Sequence, residues 1–250
     1  MQIILYYEIN IQKGGAILEN VQVYQIDFKV YLLKSIPLTH VLEEISNFID
    51  TGLAKNNKML EFHKRRGFKN YSHNGFKELE IDKIYKEGKV YSFSIRCIDD
   101  YLKDYFFKVL PDISTSSMKG LVATVKPIPQ IYIEKLYTVT PLILKLEGGY
   151  WKGQIDFLSY EKKIVSNAIK KAKALIGDFV EDFELFNGIK ILNHKPIANT
   201  YKNITLLGDK VEFTIAGNET AQKIAYILLA TGVCNNCSRG YGFVNFKSGY

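Results

Sequence analysis

The chain is short of the residues that several protein classes depend on. It has one tryptophan and three cysteines in 250 residues. Cys97, Cys234 and Cys237 are odd in number, so no disulfide framework is expected, and the chain fits a reducing compartment. Histidines number four: His40, His63, His73 and His194. None stands in a His-x-x-His pair beside Cys234-x-x-Cys237, which therefore lacks the other ligands of a zinc site and reads as coincidence in a loop. Acidic residues form no obvious divalent-metal cluster, and there is no Walker motif, so neither metal nor cofactor is expected. No apolar run is long enough to cross a membrane. The start, Met1 to Glu8, has no basic stretch and no small-residue cleavage site. A cytoplasmic protein without membrane contact is expected.

What is present is aromatic and basic. Seventeen tyrosines and fifteen phenylalanines accompany a formal charge of +7, carried mostly by dispersed lysines. A polyanionic partner fits this balance without being required by it. The most informative stretch is Arg239-Gly240-Tyr241-Gly242-Phe243-Val244-Asn245-Phe246. It matches the octamer of RNA-recognition motifs position for position. On a strand, Tyr241, Phe243 and Asn245 would share a face and offer rings to unpaired bases. In that motif, however, a helix and a strand follow the octamer, and here only four residues do.

Periodicity along the chain gives an α+β reading. Residues 22–33 predict a strand, Thr39 to Thr51 a helix closed by Gly52, 68–72 and 90–97 strands, 99–110 a helix and 121–125 a strand. The order repeats: a strand over 132–146, a helix over 157–176, strands over 183–192 and 197–215, a helix over 219–231, then the octamer strand. Two tandem ferredoxin-like (RRM-like) βαββαβ domains are expected, 1–128 and 129–250, joined near Pro127 and Pro129. Residues 1–20 would be an extension or an extra strand.

Three segments could carry chemistry. Gly232 to Gly242 can form an anion nest, with Ser238 and Arg239 as added donors; the plainer alternative is a tight turn. His40 stands at a helix start, where the dipole favours a neutral, basic imidazole, with Tyr31 and Lys34 just upstream. A histidine there is more often a surface or capping residue. His63 lies with Lys64, Arg65, Arg66 and Lys69, interleaved with Phe68 and Tyr71. This run reads as binding or as a solvated basic face, with catalysis the lesser alternative. His73 and His194 fall in polar stretches and are expected to be exposed.

Taken together these residues resemble the CRISPR-associated repeat-processing endoribonucleases of the RAMP superfamily. The resemblance rests on Tyr24 to Val30 feeding Pro37-Leu38-Thr39-His40, on Leu60 to Tyr71, and on Thr231-Gly232 with Arg239 to Val244. It implies metal-independent cleavage of pre-crRNA by a 2′-hydroxyl, leaving a 2′,3′-cyclic phosphate and a 5′-hydroxyl. It places His40 as the catalytic histidine, with Lys34 for charge stabilisation and Tyr31 for positioning or proton transfer. It assigns RNA contact to His63, Lys64, Arg65, Arg66, Lys69, Gly232, Ser238, Arg239, Gly240, Tyr241 and Gly242. CRISPR repeat RNA is the implied partner of a monomer or homodimer, with effector-complex subunits a further class. The alternatives are an inactive repeat-binding protein and a ribonucleoprotein subunit.

Overall fold

A computed structural model describes residues 21–249. The expectation for residues 1–20 lies outside them. The first sheet has the order β3-β5-β1-β6, built from β1 (Val23–Leu32), β3 (Tyr71–His73), β5 (Val90–Cys97) and β6 (Met118–Ile128). All its neighbours run antiparallel. A two-residue ribbon, β2 (Ile36–Pro37) with β4 (Ile84–Tyr85), lies beside it. The helices are α1 (Val41–Leu53), α2 (Asn57–Lys64) and α3 (Asp100–Val109). The second sheet has the order β12-β7-β11-β8, from β7 (Ile133–Thr138), β8 (Phe186–Ile191), β11 (Val211–Ile215) and β12 (Val244–Ser248). Its helices are α4 (Phe157–Ile176) and α5 (Glu219–Thr231). Taking core strands in chain order, both sheets read fourth-first-third-second, the ferredoxin-like arrangement. The two expected βαββαβ units are therefore present.

Alternation decides which face of each sheet is covered. Along β1, Ile26, Phe28, Val30 and Leu32 are buried with Ile45, Phe48 and Ile49 of α1 and Phe106 of α3. Phe93 stacks on Phe28 with centroids 5.3 Å apart and meets Phe48 edge-on. Each such ring contributes roughly 1.5–3 kcal/mol by burial. In the second unit Leu136 and Phe213 pack with Ile164, Ala168 and Ala172 of α4 and Ile224 and Leu228 of α5. Local signals set the helix starts. Asn56, Asp99, Asp156 and Asn218 each accept backbone N–H bonds at an N-cap.

Several boundaries differ from the sequence reading. The basic segment begins as α2, a helix hidden by weak periodicity but capped by Asn56. Gly52 lies inside α1, where a Cβ would come 2.3 Å from Leu110, so it serves packing rather than termination. The expected strand 197–215 is three strands. β9 (Ile197–Tyr201) and β10 (Ile204–Gly208) form an inserted hairpin before β11. Lys202 and Asn203, at φ 47° and 64°, make its two-residue turn. The octamer is a strand only from Val244. Gly240 and Gly242 sit at φ 84° and 62° in a turn, so Tyr241 and Phe243 do not share a strand face, and both are buried.

The units are joined by buried polar contacts. Arg96, on the face of the first sheet away from its helices, donates to Gln25 Oε1 at 2.9 Å, to the Val244 carbonyl at 2.7 Å and to Asn245 Oδ1 at 3.0 Å. Its guanidinium also lies 4.7 Å from the Phe243 ring centroid. Ser72 donates to the Ala230 carbonyl, and the Tyr226 hydroxyl accepts from Val23 N–H. Replacing Arg96 by alanine strands three acceptors in a closed interface. The Arg96→Ala protein should lose about 3 kcal/mol in urea denaturation. A loss below about 1 kcal/mol would show that the clamp contributes little.

Candidate active site

The loop before β12 runs from Gly232 to Phe243 and lies against the first unit. A 3-10 turn, Cys237–Arg239, contacts α1 and β3. A Cβ on Gly240 would stand 2.6 Å from His73 Cε1, and one on Gly242 would stand 2.1 Å from the Val233 carbonyl oxygen. Only glycine permits both the approach and the positive φ. The glycines thus serve the closeness of two pieces of protein. Gly232, Gly240, Tyr241 and Gly242 are buried, while Ser238 is half-buried and Arg239 is exposed.

Docking the loop brings together side chains distant in sequence. His63, in the last turn of α2, places Nδ1 3.1 Å from Asp50 Oδ1 on α1. Both side chains keep a third or more of their surface, so the pair is reachable from solvent. Burial raises the Asp50 carboxyl above its ordinary range, and the charges of His63, Arg239, Lys202 and Lys69 oppose that shift. Arg239 lies 4.7 Å from the Tyr201 ring centroid, at the tip of the inserted hairpin. The hairpin is tied back by Glu43 of α1, which accepts from Lys202 N–H at 2.9 Å. Beneath the cluster the buried hydroxyl of Tyr71 meets the Ser238 side chain, and burial pushes its pKa upward. Lys69 donates to the carbonyls of Phe62, His63 and Arg65, capping the end of α2 and fixing the backbone around His63.

This geometry has a chemical consequence. A carboxylate on Nδ1 orients an imidazole and leaves Nε2 for proton transfer. Cations facing the same space can hold a phosphate and its developing charge. Arg239 comes from the loop and Lys202 from the hairpin, so the cluster exists only when the second unit is docked on the first.

No protein-family model matches the chain, and no curated protein matches its sequence. Solved structures do match. A protein described as CRISPR associated protein Cas6 aligns with a TM-score of 0.68 at 16% identity, over 90% of this chain and 100% of its own. An RAMP protein described as binding different RNA substrates gives 0.67 at 17%, over 90% and 100%. The product of a Cas6-related gene from Pyrococcus furiosus gives 0.66 at 16%, over 90% and 98%. The fold is that of the Cas6 and RAMP proteins.

On this Cas6 fold the three residues expected to be catalytic lie along the end of β1 and the start of α1. His40 occupies the N-cap position of α1 without a side-chain cap bond, and its Nδ1 lies 3.1 Å from the neighbouring Thr39 hydroxyl. Lys34 is paired with Glu44 at 2.9 Å. Tyr31 alternates with the buried Val30 and Leu32, so it stands on the sheet face opposite α1. Of the expected RNA contacts, His63, Lys64, Arg65, Arg66, Lys69, Ser238 and Arg239 gather around α2 and the loop turn. Tyr241 is wholly buried and presents no ring for stacking. Sequence reasoning missed Asp50 and Tyr201. Asp50 lies thirteen residues before His63, across a helix-helix turn the pattern did not reveal. Among the described residues no group of three or more metal-ligating side chains occurs, and no helix is long and apolar enough to cross a membrane.

His73, expected to be exposed, is fully buried on β3. Its Nδ1 faces the Asn74 carbonyl at 3.0 Å, and its Nε2 faces the Ser46 hydroxyl at 3.1 Å. Burial pushes its pKa down to about 4 from 6.5. The unfolded chain therefore binds a proton here that the native one refuses. Stability is full above pH 6.5 and falls as the pH drops through 4, by about 3 kcal/mol for this group. In paired denaturation series the advantage of the native protein over His73→Asn should shrink across that window. An advantage independent of pH would overturn this reading.

Proposed function

We propose that the protein is a metal-independent endoribonuclease that cleaves the repeat RNA of CRISPR precursor transcripts. The observation that carries the proposal is the Asp50–His63 pair facing Arg239 and Lys202 at the unit junction of a Cas6 fold. A 2′-hydroxyl oxygen attacks the adjacent phosphorus as the bond to the 5′-oxygen breaks. One proton leaves the 2′-oxygen and one reaches the 5′-oxygen. The products are a 2′,3′-cyclic phosphate and a 5′-hydroxyl. Only proton transfers and charge stabilisation are required, and side chains supply both. His63 moves a proton at Nε2, Asp50 orients it, and Arg239 faces the phosphate oxygens. Support from related structures includes a Thermus thermophilus Cas6 described as a product complex, which aligns with a TM-score of 0.57 at 13% identity, over 91% of this chain and 100% of its own.

His40 is the second reading for the proton-transfer role. It keeps its place at a helix start, where its Nδ1 faces the Thr39 hydroxyl and Glu43 and Glu44 stand in the turn that follows. A binding-only protein, alone or as a subunit of a ribonucleoprotein, is the alternative to catalysis. One assay separates these readings: labelled repeat RNAs, excess EDTA, and mapping of the product ends. His63→Ala should slow cleavage at least 100-fold, the usual weight of a positioned acid or base being roughly 100- to 10,000-fold. Asp50→Asn should slow it about tenfold. His40→Ala should stay within a few-fold of native. Loss of activity in His40→Ala with retention in His63→Ala would move the chemistry to His40. Binding without a cyclic-phosphate product would leave the binding-only reading.

A further inference from the structure

Just beyond His63 the chain leaves α2 and closes a second concavity, of about 270 Å³, against α4 and the last residue of α5. Its walls are Arg65, Arg66, Phe68 and Lys69 on one side and Lys171, Ala174 and Leu175 of α4 on the other. Among the described residues no acidic side chain lines it. The larger groove between α4 and β8, of about 560 Å³, differs: its lysines stand beside Glu161, Glu181 and Glu184.

The charge in the smaller pocket is uncompensated. Among the described residues, the guanidinium groups of Arg65 and Arg66 make no ion pair and no hydrogen bond, and both are exposed at the mouth. Lys171 is 3% exposed at the base. It donates to the carbonyls of Thr231 and Gly232 and lies 3.2 Å from Cys237 Sγ, so its ammonium is fixed beneath the loop. Phe68 is 37% exposed and turns a ring toward this base, 5.7 Å from the Lys171 ammonium. Two free arginines suit phosphate oxygens, and an exposed ring beside apolar Leu175 suits a flat π-surface. The volume suits one nucleotide rather than a paired strand.

We infer that this pocket seats a single unpaired nucleotide of the RNA, its base against Phe68 and its backbone phosphates on Arg65 and Arg66. The inference deepens the endoribonuclease reading and rests on it for the identity of the ligand as RNA. A nucleotide held here would be turned out of line close to His63. That would help to set which phosphate meets the Asp50–His63 pair.

Binding of a fluorescent oligouridine of about ten nucleotides to the full chain tests the pocket without requiring cleavage. Phe68→Ala should weaken binding about tenfold with an unchanged salt slope, and Phe68→Tyr should restore it. Arg65→Ala/Arg66→Ala should instead lower the salt slope by about two. Ala174→Trp places a ring where the base would sit, on an exposed position that folding tolerates. It should cost as much as Phe68→Ala, and the two losses should not add. Unchanged affinity in Phe68→Ala, or additive losses in the double variant, would overturn the pocket. A native protein that cleaves repeat RNA while these variants bind like it removes the pocket alone. One that never cleaves removes the endoribonuclease reading and leaves the binding result to decide the pocket.

Discussion

The structure turns on the contact between Gly240 and His73. The backbone of one ferredoxin-like unit lies so close to the His73 ring and the Leu42 side chain of the other that not even a Cβ fits between them. Everything at the junction follows from that approach. It sets the 3-10 turn on α1 and β3, carries Arg239 to Tyr201, and brings the loop's cation to Asp50. The buried imidazole of His73 is what the glycine packs on, and its neutral form is the one burial allows. Arg96 holds the same junction from the sheet side, through the first residues of β12. The loop and the strand that follows it are therefore fixed at both ends.

This changes the meaning of the octamer. As a string it matches an RNA-binding strand, because a basic residue, glycines and aromatics at those spacings fit both roles. In the fold its glycines make room for protein, its Tyr241 and Phe243 are core, and only Arg239 reaches outward. The pattern marked the right segment, with a different division of labour among its residues. A ring is available for stacking elsewhere, at Phe68, where one side chain stands between two free arginines and a lysine fixed under the loop.

Alternation and helical periodicity made the α+β order legible, since long buried stripes such as Ile164, Ala168 and Ala172 leave few choices. They failed where elements are short or inserted. α2 spans eight residues and buries only Met59, so its signal was a cap rather than a stripe. The β9–β10 hairpin hid inside one apolar run, because Lys202 and Asn203 are not the residues that usually announce a two-residue turn. Those two omissions account for the candidate site. Without α2 there is no reason to pair His63 with Asp50, and without the hairpin Tyr201 and Lys202 have no place beside Arg239.

The two histidines differ in what surrounds them. His40 stands at a helix start, with Glu43 and Glu44 in the turn that follows it. His63 occupies the opposite end of its helix, and its Nδ1 meets the Asp50 carboxylate. Proton transfer requires the group to exist in both states near neutrality, and a site that balances stabilising and opposing charges achieves this better than one with a single sign. Asp50 raised by burial and opposed by Arg239, Lys202 and Lys69 is such a balance. A phosphate entering beside Arg239 would compete with Asp50 for the same cations.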